Sequence, residues 1–446
     1  MKNKVEKHYV CDSCGYESKK WFAKCPSCNS LDSVVEFNIN TASKKSQKNS
    51  SEESSISYIE DSFVVPEKIS TSIKELNKTL KGGLVQGGVY LLSGEPGIGK
   101  STLVSQLSSG FDDFCLYVSG EESKEQVIQR FKRLEINNKN IGLMFENDVE
   151  NIMYSVERYK SKPKVIFIDS IQTLKSDNFD SISGSVTQIK ECSKKLTEFA
   201  KKNNITVFLI GHVNKEGSIA GPKLLEHVVD CVMHFEIEKS SGLRMLRIIK
   251  NRFGPTDEII LFEMKEKGIF PVENITEYFI SDYSNEPGNV LSVVKEGSKL
   301  IPIEIQALVG KPVYSTSRLI TTGIPNDRAV MICAVMSKKL KIAFEAKDIF
   351  LNTSGGFKTN DSSIDLAIAL AIFSSFLDKP FPNAAIGFGE IGLDGKIRNT
   401  SLIEKRIELS EKIGIKNIIV PEKVKYKSNQ LIKISNITDL INYFRG

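Results

Sequence analysis

Residues 89–102 read V-Y-L-L-S-G-E-P-G-I-G-K-S-T, and this stretch decides the fold. Val89–Ser93 has the apolar, β-favouring character of a buried strand. From Gly94 to Ser101 the chain fits GxxxxGK[ST] at every fixed position, and the residues that follow, T-L-V-S-Q-L, have a helical pattern. A strand, a glycine-rich turn and a helix in that order turn backbone N–H groups and a helix N-terminus toward phosphate oxygens. In such a loop Lys100 bridges the β- and γ-phosphates of ATP and Ser101 binds Mg2+. Gly94, Glu95, Pro96, Gly97, Ile98, Gly99, Lys100, Ser101 and Thr102 are the candidate nucleotide-binding residues.

Outward from the loop, Val165–Asp169 (V-I-F-I-D) is an apolar strand ending in a carboxylate. Alone, Asp169 is a capping residue; paired with the loop, it completes the Mg2+ shell. Hydrolysis also needs a group that orients water. Glu121 and Glu122 follow the strand C-L-Y-V-S in the turn S-G-E-E-S, at the edge where parallel sheets bind ligands. Acids at a helix start are the plainer reading. His212 follows T-V-F-L-I-G and is placed either to sense the γ-phosphate or to close a strand end.

At 446 residues the chain exceeds one modest core, which predicts two or three domains. Strand candidates at Val89–Ser93, Cys115–Ser119, Ile141–Phe145, Val165–Asp169, Thr206–Gly211, Cys231–Phe235 and Arg244–Ile249 alternate with helical patterns, notably 186–202. Over residues 63–280 that alternation predicts a parallel sheet with helices on both faces. Turn residues cluster at 281–289 (S-D-Y-S-N-E-P-G-N), and a second α/β domain is expected over 287–446. There Leu291–Val294, Ile301–Leu308, Ala384–Ile391 and Asn417–Val420 read extended, and 326–340, 362–377 and 401–413 read helical. Residues 37–62 are polar and Ser-rich and read as a flexible linker.

Residues 1–36 hold four of the eight cysteines, as Cys11-x-x-Cys14 and Cys25-x-x-Cys28. Two such turns complete a tetrahedral four-sulfur shell for structural Zn2+, with no open position for catalysis. Two disulfides are the alternative, disfavoured in a cytosolic chain. Cys115, Cys192, Cys231 and Cys333 read as small buried hydrophobes. Trp21, Lys19, Lys20 and Lys24 form either a stacking, phosphate-contacting surface or a solvated knuckle. Nine lysines against five acids in residues 1–48 carry most of the net charge of +5. That is as consistent with a solvated surface as with phosphate contact. No apolar run is long enough to cross a membrane and no signal core opens the chain, so a cytoplasmic protein without a membrane partner is expected.

A CxxC…CxxC knuckle, G-E-P-G-I-G-K-S-T, Y-V-S-G-E-E-S, F-I-D-S-I-Q-T, G-H-V-N-K-E-G-S-I-A-G-P-K-L-L-E-H-V-V-D and K-N-R-F-G follow one another along the chain. In that order they resemble the bacterial RadA (Sms) DNA-repair ATPases, a branch of the RecA-like fold. The resemblance implies an α/β, RecA-like P-loop core with a parallel sheet, a small zinc finger before it and an α/β Lon-protease-like domain after it. It implies a DNA-dependent ATPase similar to replicative helicases, promoting branch migration of recombination intermediates. Its partners would be single-stranded and branched DNA, further copies of the chain in a hexameric ring, and RecA recombinase. Glu121 matches the glutamate that polarises the attacking water and is preferred over Glu122. Asn214–Pro222 is similar to the mobile loop through which such rings feel DNA, with Lys215 and Lys223 suited to phosphate; an ordinary surface connection is the alternative. In Lys250–Gly254, Lys250 and Arg252 match cations that reach the γ-phosphate of a neighbouring subunit. Asn251 points the other way by the strand's period of two and braces the turn, while Phe253 and Gly254 set the bend.

Residues 290–446 resemble the proteolytic domain of Lon proteases, which uses a Ser–Lys dyad. Ser363, in D-S-S-I-D, falls on the nucleophile, but the lysine position falls on Glu404, which is no amine base. Ser362-x-x-Asp365 and Ser401-x-x-Glu404 also read as capping boxes opening helices. Lys405 is turned about 100° away on its helix. The domain is therefore expected to support ring assembly or DNA contact. An ATP-dependent serine protease and a non-motor ATP switch or scaffold remain the alternative functions.

Overall fold

The computed structural model describes residues 5–11, 16–27, 29–31, 34–40, 66–177, 183–212, 222–238, 242–280, 283–312 and 316–445. The chain parts into two compact units. One holds the chain up to Ile237 together with Arg244–Pro271; the other holds Glu238–Leu243 and the chain from Val272.

The first unit is built on a nine-stranded sheet. Its strands are β1 (Val89–Gly94), β2 (Cys115–Ser119), β3 (Ile141–Phe145), β4 (Val165–Asp169), β5 (Thr206–His212), β6 (Cys231–Ile237), β7 (Arg244–Asn251), β8 (Ile259–Lys265) and β9 (Gly268–Pro271). They lie in the order β9-β8-β7-β6-β1-β5-β4-β2-β3. From β6 to β3 neighbours are parallel, whereas β7, β8 and β9 join antiparallel. Arg244–Ile249, expected within a parallel sheet, is thus antiparallel. Ile237 pairs with Arg244 across a short hairpin, and a parallel crossover needs about a dozen residues or more.

Helices α1 (Lys100–Ser108), α2 (Lys124–Arg133), α3 (Val149–Arg158), α4 (Val186–Asn203) and α5 (Pro222–Val228) connect the parallel strands. Side chains alternate between the two faces along each strand. Tyr90, Leu92, Tyr117, Phe167 and Phe208 fill one core with Leu103 of α1 and Val127 of α2. Val89, Leu91, Val118, Ile166 and Leu209 fill the other with Ile152 of α3 and Ile189 of α4. This burial on both faces explains why the central strands read as unbroken apolar runs.

In the cysteine module, Val5–Cys11 pairs on one side with Glu17–Ser18 and on the other with Val34–Asn40. The last strand therefore carries residues 37–40 of the stretch read as linker into the sheet. Residues 41–65 lie outside the described residues.

The second unit holds a seven-stranded mixed sheet of β10 (Asn289–Glu296), β11 (Lys299–Gly310), β12 (Leu319–Thr322), β13 (Asp348–Thr353), β14 (Ala385–Gly387), β15 (Asn417–Pro421) and β16 (Leu431–Ile434). Their order is β12-β13-β11-β10-β14-β15-β16. Its helices include α6 (Ile275–Ile280), α7 (Asn326–Leu340), α8 (Asp365–Leu377) and α9 (Ile403–Lys412). α6 belongs here because Phe279 packs edge-on against Phe357 at 5.4 Å. Every residue from Asp365 to Ser374 is buried, as a helix apolar on all sides requires. Among the described residues no helix is long and apolar enough to cross a membrane.

Neither expected capping box forms. α8 and α9 begin without a side-chain cap, at Ile364 and Leu402. Ser362 Oγ instead lies 3.1 Å from a Glu390 carboxylate oxygen. Asp365 is drawn into an ion pair with Arg328 and accepts from the Ile391 N–H at 3.0 Å.

Candidate active site

The glycine-rich turn leaves the end of β1 and enters α1 through Gly99, whose φ of 109° and ψ of 18° suit glycine. Gly94 is equally constrained, since a Cβ there would stand 2.3 Å from the Phe235 carbonyl oxygen of β6. Lys100 is buried, and its Nζ donates to the carbonyls of Gly94 and Glu95, both at 2.8 Å. Burial pushes this ammonium down to about 8, with Asp169 and Glu121 pulling the other way. A Cβ on Gly97 would meet no atom within 4 Å, so the mouth of the loop is open. An open turn around a buried cation fits a polyphosphate. ATP bound here supplies the bond to be broken; the loop supplies its N–H groups, Lys100 and the half-buried Ser101.

Asp169 ends β4 next to Ser119, which ends β2. It is buried, and its Oδ2 accepts from Tyr117 Oη at 2.6 Å. Oδ1 takes no hydrogen bond among the described residues. With the Ser101 hydroxyl, Asp169 offers the hard oxygen donors that Mg2+ prefers, and the ion would neutralise phosphate charge.

The two acids of the 121–122 turn part company. Glu122 pairs with Arg130 of α2. Glu121 turns instead toward Ser170, whose hydroxyl donates to its carboxylate at 2.5 Å, and toward His212, with Nε2 at 3.5 Å. The His212 ring holds the Glu121 carboxyl below its usual range; burial opposes it, and Ser170 and Lys100 add to the lowering. Neither ring nitrogen of His212 completes a hydrogen bond among the described residues, nor does Gln172 Oε1 nearby, whose amide nitrogen donates to the His212 carbonyl. These buried polar atoms stand beside a carboxylate and an open loop, where a water can donate to Gln172 Oε1 and a His212 ring N–H can donate to water or a phosphate oxygen.

Lys250 and Arg252 lie toward the other end of the strands. Lys250 pairs with Val232, which is level with Leu91, and the Arg252 N–H bonds the Asp230 carbonyl, level with Val89. Arg252 is thus about 17 Å of strand from Gly94. Its guanidinium pairs with Asp230 Oδ1 at 3.1 Å, and Asp230 Oδ2 holds the Val89 N–H. Lys250 Nζ donates to the carbonyls of Glu226 and Val229, where α5 ends. Asn251 braces the turn, donating to the Pro255 carbonyl and accepting from the Phe253 N–H. Phe253 packs against Tyr90 at 6.1 Å.

In the cysteine module Cys11 and Cys25 are fully buried. The Cys11 N–H bonds the Tyr16 carbonyl and the Cys25 N–H bonds the Ser30 carbonyl, each at 2.9 Å. Two like turns, each opened by a buried thiol, fit a metal knuckle, and Zn2+ held there would rigidify the module. Cys14, Cys28 and Lys215 lie outside the described residues, as does the side chain of Lys223.

Comparison with known proteins follows the same lines. The DNA repair protein RadA of Bacillus subtilis (strain 168) is 39% identical, over 99% of this chain and 99% of its own length. The chain belongs to the RadA family of DNA repair proteins. The RadA protein of Aquifex aeolicus (strain VF5) is 40% identical, again over 99% of each chain. Residues 9–36 match a rubredoxin metal binding domain, 54–218 an AAA domain and 303–424 the subunit ChlI of Mg-chelatase. Among solved structures, a KaiC-like protein from Pyrococcus horikoshii OT3 is similar, with a TM-score of 0.39 and 19% identity, covering 47% of this chain and 100% of that one. The P-loop unit of this RadA-family chain is an ATPase domain, and its second unit is the Lon-like domain.

In that Lon-like domain the side chain facing Ser363 is neither Glu404 nor Lys405 but Arg406, which is fully buried. Its Nη1 donates to Ser363 Oγ at 2.8 Å, its Nη2 to Asp361 at 2.7 Å and its Nε to the Ser401 carbonyl at 2.9 Å. Ser363 Oγ in turn donates to the Val293 carbonyl at 3.2 Å. A guanidinium has no acceptor and keeps its proton, so it cannot take one from Ser363. A fluorophosphonate probe should therefore leave Ser363 unlabelled; stoichiometric labelling would restore the protease reading. Burial alone would raise the Asp361 carboxyl, but Arg406, together with the Lys295 and Ser363 N–H groups, holds it below its usual range. The stability this pair contributes is complete above the ordinary carboxylate pKa of about 4 and is lost as pH falls through the lower folded value. Arg406→Ala strands Asp361 and should cost about 3–5 kcal/mol, read as a lower urea midpoint for the second unit.

The sequence reading did not single out Tyr117, Arg130, Ser170, Gln172 or Asp230. Arg130 carried a signal, since it shares the buried face of α2 with Val127 and Phe131. A cation at a core-facing helix position needs a partner, and here the partners are long-range.

Proposed function

We propose that this chain is a DNA-stimulated ATPase motor of DNA repair, working in the cytoplasm on recombination intermediates and promoting branch migration. The observation that carries the reading is the turn of Glu121 away from Glu122, toward Ser170, His212 and the Lys100 side of the loop. Glu121 is then the base that orients the attacking water, and its lowered pKa keeps it an acceptor at neutral pH. Lys100 and the loop N–H groups hold the β- and γ-phosphates, Ser101 and Asp169 hold Mg2+, and His212 senses the γ-phosphate. Lys250 and Arg252 serve a neighbouring subunit's nucleotide in a ring, which we take to be a hexamer. Lys215 and Lys223 contact single-stranded or branched DNA. Exposed Trp21, flanked by Lys20 and Lys24, adds a stacking surface on the zinc-bearing module.

Steady-state ATP hydrolysis, with and without single-stranded DNA, tests the reading. The rate should rise when DNA is added, and the rise should vanish in a variant with Lys215 and Lys223 both changed to alanine. A hydrolysis rate indifferent to DNA would overturn the motor in favour of an ATP switch.

A further inference from the structure

Arg130 bonds three side chains beside the phosphate loop, and the proposed function gives it no role. It comes from α2, is 8% exposed, and spends its donors on separate elements. Nε donates to Ser105 Oγ of α1 at 3.1 Å, Nη1 pairs with Glu122, and Nη2 donates to Tyr117 Oη of β2 at 2.8 Å. Two of these contacts continue. Tyr117 Oη donates to Asp169 Oδ2 at 2.6 Å, and Ser105 Oγ donates to the Ser101 carbonyl at 2.7 Å. One guanidinium therefore stands behind both Mg2+-side residues, one relay away from the Ser101 carbonyl and, besides the Tyr117 relay, 3.9 Å from Asp169 Oδ2 itself.

The direction of the first relay is fixed by chemistry. An arginine only donates, so the Tyr117 oxygen receives from it and must pass its own proton to Asp169. Asp169 Oδ2 is thereby committed as an acceptor, which fixes the carboxylate plane and leaves Oδ1 for the metal side. The contact with Glu122 matters as well, because an acid tied to Arg130 leaves its neighbour Glu121 to face the loop.

We infer that Arg130 is a positioning residue for ATP hydrolysis. It sets Asp169 through Tyr117 and Ser101 through Ser105, and keeps Glu122 off the phosphate site. The inference rests on the ATPase reading above. Partners standing behind metal-site residues typically change metal affinity or activity by about 10- to 100-fold when removed. A purely structural arginine would lower the melting temperature and leave the metal dependence of turnover alone.

The test is the Mg2+ dependence of ATP hydrolysis in the full-length protein, carrying Arg130→Lys or Tyr117→Phe. Lysine keeps the charge but cannot fork to three partners; phenylalanine removes one hydroxyl and leaves the guanidinium in place. Both should raise the Mg2+ concentration for half-maximal rate about tenfold and lower kcat. Binding of a fluorescent ATP analogue in EDTA should stay at the parent value. Parental Mg2+ dependence in folded variants, with or without a lower melting temperature, overturns the inference. If Arg130→Lys does not fold, Tyr117→Phe decides alone, and an unshifted Mg2+ curve overturns it. A parent enzyme with no Mg2+-dependent hydrolysis would overturn the ATPase reading instead.

Discussion

An Arg252→Ala variant should bind ATP as the parent does and hydrolyse it about a thousandfold more slowly, the loss usual for a missing arginine finger. Within one chain Arg252 stands a strand length from Gly94, with its backbone fixed to Asp230, so it has no route to its own phosphates. Its side chain is half exposed and its pairing with Asp230 correspondingly weak, so the guanidinium is available to a neighbour. Lys250 is held more firmly by the carbonyls that end α5, where a cation also favours the helix dipole. A mixing experiment makes the result specific. Arg252→Ala subunits keep an intact loop, and Lys100→Ala subunits keep an intact finger. Combined, the two inactive preparations should regain turnover at the seams where an intact loop meets an intact finger. Full turnover by Arg252→Ala alone would return this stretch to a role in DNA contact or to an ordinary solvated strand end.

Replacing Lys100 by alanine should reduce both nucleotide affinity and turnover, the latter by about 10²- to 10³-fold, as for removal of a donor aimed at developing charge. The parent should also show a pH effect whose sign follows from the burial of this lysine. In the nucleotide-free loop the ammonium gives up its proton near 8, yet only the charged form attracts phosphate. Affinity is therefore highest below that pH and falls as pH rises through it. Titration with a fluorescent ATP analogue from neutral to alkaline pH would reveal the decline, and Lys100→Ala should lack it. A flat profile in the parent would mean that the loop carbonyls at 2.8 Å, not the proton balance, govern this side chain.

Much of this architecture is legible from local chemistry. The loop at Gly94–Ser101 is a strand, a turn and a helix written consecutively, and Asp169 closes a strand whose apolar run cannot be solvent-facing. Helix α4 falls within a residue of its expected range because its period and its Ser185 cap both lie in the sequence. What stayed hidden depends on partners far along the chain. β8 and β9 follow a turn after Pro255 and pair only with a hairpin, so no alternation with helices announced them. Ser362 and Ser401 carry capping-box spacing, but Asp365 is claimed by Arg328 and Ile391, and α9 starts from a left-handed Leu402. Arg406 and Arg130 look like ordinary helix cations. Their partners, Ser363 in the turn before α8 and Tyr117 on β2, are brought to them only by tertiary packing.

The separation of the loop end of β1 from the Arg252 end has a consequence for symmetry. If Arg252 serves a neighbouring copy, as proposed, each subunit has a donor edge and an acceptor edge that differ in chemistry. Contacts between unlike edges are head-to-tail, each protomer presenting one surface to the copy before it and another to the copy after it. Such contacts need not stop at two copies: they close into a cycle when the rotation per step divides a full turn and otherwise run on as a helix. On the proposed reading every nucleotide in that series would lie at a shared boundary, so a defect in one protomer's Arg252 should silence the pocket next door and spare its own.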